Sequence, residues 1–307
     1  MSASSPVLRF VPQPKMDPFG TSGSVYCLDI AGRPLHQHIV DAFCTKLECN
    51  ELVLLIDDPA LRTDETALEL LKTRGDVVLG DGEARSQQAY DSSSIPTTDG
   101  RVLRFAYPWD LLAINQMLLS NLTPRVSSAA TIEDGVEIAG NVIIEDGVRV
   151  LAGARLKGNV YLGPNTFVGN NASVRGATSV GAGSVIGAAA DVKNSLLGSG
   201  AGIGTLCFVG DSVFGDNVWL AGVARTSNTR LDSGTVTVLV DDVKIDTGLA
   251  TLGVFVGSDV AIGSAVLILP GRKIGSGALI GPHVIVDKNI PPHKRVLLVQ
   301  NWSVSDR

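Results

Sequence analysis

Histidine is the side chain best suited to move protons near neutral pH, and this 307-residue chain holds four of them. None falls between Val126 and Pro282. His36 and His38 stand two apart with no acidic or cysteine neighbour at metal-ligand spacing, so they read as a surface pair and no metal is expected. Gly20-Thr21-Ser22-Gly23 could cradle a phosphate, but neither G-x-G-x-x-G nor G-x-x-x-x-G-K-[ST] accompanies it. The four cysteines, Cys27, Cys44, Cys49 and Cys207, show no C-x-x-C pairing. They read as free thiols in a reducing cytoplasm. A net charge of −6 offers no basic surface for nucleic acid. No apolar run reaches the roughly 18 residues of a membrane span, and the first residues lack a signal-peptide core.

What must position any chemistry is a repeat. Counting in sixes from Val126, an aliphatic residue recurs without a slip through Ile132, Ile138, Ile144, Val150, Leu156, Leu162, Val168, Val174, Val180, Ile186 and Val192. A small or β-branched residue follows four places later, as at Ala154, Thr166 and Ala172. One hexapeptide makes one short strand and a turn, and three make a triangular coil with the aliphatic side chain inside. An amphipathic helix needs apolar positions at i, i+3, i+4 and i+7, which are missing here. The spacing therefore predicts a left-handed parallel β-helix over about 126–286. Leu197 arrives one residue early, and an excursion over 222–252 interrupts the coils. A loop leaving a flat-faced prism is a place for ligand contacts. The stretch 291–307, with two prolines, reads as a cap.

The first 120 residues are patterned differently. Residues 1–20 read as a loose or edge segment. Strands are expected at 25–30, 52–58 and 77–82, and helices after Pro34 and at 66–74. The polar run 86–100 reads as an exposed loop, and Pro108 opens a linker helix. This is a small α/β domain.

The chain resembles the sugar-1-phosphate nucleotidyltransferases that carry a C-terminal β-helix acetyltransferase domain. The resemblance is carried by LDIAGRPLHQHIVDAF (28–43), PWDLLAINQMLL (108–119), FVGDSVFGDNV (208–218), NTRLD (228–232) and IDTGLATLGVFVG (245–257). It implies a shortened nucleotidyltransferase-like domain over 1–120 and an acyltransferase-like β-helix over 121–290. The family's triphosphate loop, G-x-G-T-R, is here GTSGS at 20–24, and only Asp81 resembles its metal-binding aspartate. A phosphoryl-type transfer needs cradle and metal together, so nucleotidyl transfer is the least favoured activity.

In the β-helix, the resemblance assigns Arg175 and Lys193 to the sugar phosphate, with Asn228 and Arg230 also binding substrate. Asp232, Asp246 and Thr247 match the family too. The family's general-base histidine is replaced by Thr205, its tyrosine by Phe208 and a sugar-contacting asparagine by Trp219. A threonine hydroxyl cannot act as a base near neutral pH. Asp211 and Asp216 are candidates for a substitute base, although both also fit turn chemistry between hexads. Acetyl-CoA or another acyl-CoA is the implied co-substrate, its phosphates meeting Arg272, Lys273, Lys288, Lys294 or Arg295. His283 reads as an exposed corner residue or as facing a neighbouring chain. The implied function is an acyl-CoA-dependent transferase acting on a sugar phosphate or sugar nucleotide. The alternative is a silent homologue that binds sugar phosphate or a partner enzyme. A prism with small-residue faces suits a homotrimer.

Overall fold

The computed structural model describes residues 102–301 and 303–305. Before these it describes segments 7–10, 29–47, 52–56, 64–72, 75–79, 89–91 and 94–96, together with Met16, Pro18 and Leu61. Gly20–Ser24, Cys27, Cys49 and Asp81 lie outside the described residues, as do the side chains of His36 and Cys44.

The hexad aliphatics form the interior of a β-helix. From Ile144 to Val286 each lies at 2% exposure or less, together with the small corner residues Ala154, Ala172 and Ala190. Burying each larger side chain contributes roughly 1.5–3 kcal/mol. Val126 and Ile138 are half exposed, the first coil having no neighbour above it among the described residues. The strands pair in parallel with their equivalents one coil away, as in Val150↔Val168 and Val168↔Ile186. One prism face is a nine-stranded ladder from Thr131–Ile132 to Arg295–Val296. Residues 291–296, expected as a cap, thus supply the last rung: Arg295 and Val296 pair with Leu279 and Ile280.

The early arrival of Leu197 has a local cause. Gly176, Asn194 and Asp211 occupy the same corner in successive coils with φ of +73°, +46° and +50°. Three residues separate Arg175 from Ser179, whereas two separate their ladder partners Lys193 and Leu196. The corner has lost one residue and turns more tightly. Asn and Asp tolerate the left-handed backbone that this requires.

The excursion leaves from this same corner, after Arg225–Thr226 has paired in the prism. It closes at the neck, where Leu252 N–H donates to Asn228 O and Gly253 N–H to Asp211 O. Between them Thr237–Val240 and Val243–Asp246 form an antiparallel hairpin. Its Val236, Val238 and Val240 are buried in one cluster with Tyr107, Trp109, Leu196, Val213 and Phe255.

The amino-terminal part is α/β. Its parallel sheet runs Gly75–Leu79, Leu52–Ile56, Val7–Phe10, Ala89–Asp91. Among the described residues its helices include α1 (Leu35–Leu47), α2 (Glu65–Lys72) and α3 (Asp110–Asn121). Two expectations are corrected. Val7–Phe10 is an interior strand, paired on both sides, and the polar run contributes the edge strand Ala89–Asp91. Backbone pairing alone makes an edge strand, so its side chains need no apolar pattern.

Helix α3 fastens this unit to a second prism face. Asn115 is fully buried; its Nδ2 donates to Ala177 O at 3.0 Å and its Oδ1 accepts from Ser179 Oγ at 2.6 Å. Under α3, the Tyr107–Trp109 segment and the inserted hairpin, the outward residues of that face, Ile143, Tyr161, Ser179, Leu196, Val213 and Phe255, are buried. No helix among the described residues is long and apolar enough to cross a membrane.

Candidate sugar-phosphate site

The third face carries the residues that could recognise a polar ligand. Lys157, Arg175, Lys193 and Gly210 stand in one ladder, and Ser173, Asp191, Phe208 and Arg225 in the next. Alternation along each strand turns these residues outward, because Val174, Val192 and Val209 between them face the core.

The structure brings Arg175, Lys193, Asn228 and Asp211 together. Arg175 makes a bidentate pair with Asp191, Nε donating at 2.9 Å and Nη2 at 2.8 Å. This bond holds the guanidinium above its ordinary pKa. Asp211 is 6% exposed and fully engaged. Its Oδ2 accepts from Asn228 Nδ2 at 2.6 Å and from Lys193 Nζ at 3.3 Å, and its Oδ1 from Asn194 Nδ2 at 3.1 Å. Its role in the structure is that of an organiser shared by three coils. The Phe208 ring lies along the face toward Asn228. A Cβ on Gly210 would come within 2.7 Å of Phe208 Cζ and 2.9 Å of Asn228 Nδ2.

Other candidates stand apart. Thr205 is exposed at the corner where the Phe208 strand begins, and Asp211 lies at the corner where it ends. Asp216 occupies the third corner, its Oδ1 accepting from Ser199 N–H at 2.7 Å. Arg230 is exposed and pairs with Asp232, whose carboxyl it holds well below the usual range. Asp246 and Thr247 fold the hairpin base: Gly248 N–H donates to Asp246 Oδ1 at 3.0 Å, and Thr247 Oγ1 donates to Val236 O at 2.7 Å.

The cations assigned to acyl-CoA also divide. Arg272 Nε donates to Pro270 O at 3.1 Å and Nη1 to Asp287 O at 3.4 Å; burial lowers its pKa. Lys273 is buried on the covered face, in register with Phe255. Lys288, Lys294 and Arg295 are exposed. Cys207 is free and buried inside a corner, and burial pushes its thiol up. No cluster of three or more metal-ligating side chains occurs among the described residues.

A second concavity has no counterpart in the sequence pattern. A cleft of about 360 Å³ lies between the hairpin turn at Ala31 and Gly32 and the covered face, lined by Asp29, Glu145, Tyr161 and Ser179. Its walls come from segments over a hundred positions apart, with no motif to join them. Arg125 pairs with Glu145. Burial first, then the Asp216 charge, raises the Asp29 pKa. A raised carboxyl contributes stability that is present below the unfolded carboxylate range and lost as pH rises through the folded value. Asp29→Asn is therefore expected to stabilise the protein at pH 7, with the gain vanishing below about pH 4. Urea denaturation across that range measures it.

With this geometry in place, known proteins supply the context. Residues 138–265 match the family model described as GMPPB C-terminal domain. The chain is 47% identical over 184 residues to the bifunctional protein GlmU of Methanococcus maripaludis, covering 60% of this chain and 44% of that protein. It is 34% identical over 192 residues to a bifunctional sugar-1-phosphate nucleotidylyltransferase/acetyltransferase of Sulfurisphaera tokodaii, covering 62% and 48%. Among solved structures it is similar to a UDP-N-acetylglucosamine acyltransferase from Campylobacter jejuni. The identity there is 16% over 55% of this chain and 69% of that chain, at a TM-score of 0.30. The chain spans about half the length of the curated relatives it matches. Through its β-helical region the chain is similar to the GMPPB C-terminal domain and to the bifunctional sugar-1-phosphate nucleotidylyltransferase/acetyltransferases.

Proposed function

We propose that the chain is an acyl-CoA-dependent acyltransferase acting on a sugar phosphate or sugar nucleotide. The observation that carries this reading is the corner where Arg175, Lys193, Asp211 and Asn228 meet beside the Phe208 ring. It is a rigid polar surface on a fold whose relatives are named acetyltransferases. In the reaction, a sugar amine or hydroxyl attacks the thioester carbonyl. A C–N or C–O bond forms, the C–S bond breaks, and the proton lost by the nucleophile ends on the departing thiol. Backbone N–H groups of the coils are the donors suited to the oxyanion. Lys294 and Arg295, exposed and unpaired among the described residues, fit the phosphates of acyl-CoA. Arg272 and Lys273 do not, being committed to backbone carbonyls and to the covered face.

Self-association as a homotrimer belongs to this reading. The nine-stranded face is left open by the described residues of the helices and the hairpin, and Phe167, Val185, Trp219 and Leu279 form an outward apolar line along it. Light scattering is expected to give three times the chain mass, and a monomer would remove an inter-subunit active site.

A second reading, a silent protein that binds sugar phosphate, is favoured by one observation. No histidine stands between Val126 and Pro282, and the carboxylate nearest the cluster's centre, Asp211, is fully engaged. Thermal-shift titrations separate the two. Stabilisation by both acetyl-CoA and glucosamine 1-phosphate supports the transferase. Stabilisation by the sugar phosphate alone leaves the silent reading standing in its place.

A further inference from the structure

Both cations that the family resemblance gives to phosphate are neutralised in place. Arg175 is bound by Asp191 and Lys193 by Asp211, so the four charges sum to zero. A phosphate arriving there must displace a carboxylate that already occupies the donors. Desolvating and separating such a pair offsets much of what the new contact contributes.

One coil further along the same face stands a cation without that burden. Arg225 is in register with Phe208, which is in register with Asp191. Its neighbours Ala224 and Thr226 are fully buried, so the strand turns the Arg225 side chain outward, and it is exposed. Among the described residues no hydrogen bond or ion pair engages its guanidinium. Adjacent coils lie about 4.8 Å apart, which puts the Arg225 backbone one rung from that of Phe208. That ring extends the other way, toward Asn228. An unpaired guanidinium, an aromatic ring and a side-chain amide therefore arise from adjacent rungs of one face.

We propose that Arg225 is the phosphate-gripping residue of this site and that the Phe208 ring receives the apolar face of the attached sugar. The paired cations then serve as a neutral, preorganised wall that offers hydrogen bonds to sugar hydroxyls. A guanidinium presents two parallel N–H donors to phosphate oxygens, which suits it to this task better than a distant lysine. The proposal rests on the sugar-phosphate reading above and changes which residue carries the charge recognition.

Calorimetric titration tests it, with glucosamine 1-phosphate, UDP-N-acetylglucosamine and uncharged N-acetylglucosamine as probes. The proteins are the wild type, Arg225→Gln and Arg175→Gln. Arg225 is exposed and unbonded, so its substitution leaves folding intact, which a melting curve verifies. Arg225→Gln is expected to weaken glucosamine 1-phosphate at least tenfold while changing N-acetylglucosamine less than twofold. Arg175→Gln is expected to weaken both sugars alike. If the sugar nucleotide alone responds to Arg225→Gln, the guanidinium reads a diphosphate, and the sugar-1-phosphate assignment is overturned. Unchanged glucosamine 1-phosphate binding by Arg225→Gln, beside a large loss in Arg175→Gln, would overturn the proposal and leave the site's function intact. No binding of any probe by the wild type would overturn the sugar-phosphate reading itself.

Discussion

Asp211→Ala is expected to lower the stability of the β-helix by about 3 kcal/mol and to loosen the Lys193, Asn194 and Asn228 side chains that wall the candidate site. The carboxylate is the common acceptor for Lys193, Asn194 and Asn228, and alanine leaves all three donors without it. Breaking a buried charge pair costs about 3–5 kcal/mol. Lys193 keeps 26% of its side-chain surface exposed, which moves the figure toward the lower end. The backbone adds to the loss, because φ at this corner is +50° and alanine tolerates that conformation less well than aspartate. Asp211→Asn keeps the shape and the turn preference, so its stability loss is expected to be smaller by about half. Urea denaturation of the two variants reads the difference directly. Equal stability of Asp211→Ala and the wild type would show that the corner holds without its acceptor.

The other large effect is expected at Trp109. Its ring stacks on Tyr107, with centroids 4.5 Å apart and planes 8° from parallel, and tilts against Phe255 at 6.4 Å. Phe255 belongs to the prism, and Tyr107 and Trp109 precede α3, so this contact joins the α/β unit to the covered face. The inserted hairpin enters the same cluster through Val236 and Val238. Trp109→Ala is expected to cost about 3–5 kcal/mol, with aromatic pairing included at about 0.5–1.5 kcal/mol per pair. The loss should fall on the α/β unit first. Limited proteolysis is then expected to remove the amino-terminal part while the coils resist. Uniform digestion of both parts would contradict the idea that this cluster is their joint.

The prism is legible in the sequence because its signal is local and periodic. Each hexad aliphatic repeats the same instruction, and Val150, Leu162 and Ile186 all take the interior positions that the count assigns. The slip at Leu197 is also visible there, although its cause, a corner shortened at Asn194, emerges only from the ladder register. The covering of one face is not legible. Asn115 meets Ser179 across 64 residues, and no periodicity reports such a contact. The place of Val7–Phe10 is hidden for a different reason. A four-residue strand near a chain end carries too short a pattern to show that both its edges are paired.

The site is legible in part. Resemblance brings forward Arg175, Lys193 and Asn228, which the fold does gather at one corner. It does not show that each cation has its own carboxylate. The spacing nevertheless contains that information. Arg175 and Asp191 are 16 positions apart, and Lys193 and Asp211 are 18 apart, close to one coil of three hexads. Residues one coil apart are neighbours on a prism face, so pairs at that offset follow from the repeat length alone. The same rule places Arg225 beside Phe208. Arg230 and Asp232 are the opposite case, in which motif residues bind each other on the exposed loop.

Whether acyl transfer occurs at this corner is the central question. The deciding measurement is thiol release from acetyl-CoA in the presence and absence of glucosamine 1-phosphate. Release that requires the amino sugar, with one thiol freed for each sugar acetylated, and that falls at least tenfold in Asp211→Ala, is the predicted result. Glucosamine 1-phosphate binding without any thiol release above that of acetyl-CoA alone would contradict the transferase and leave a sugar-phosphate-binding protein.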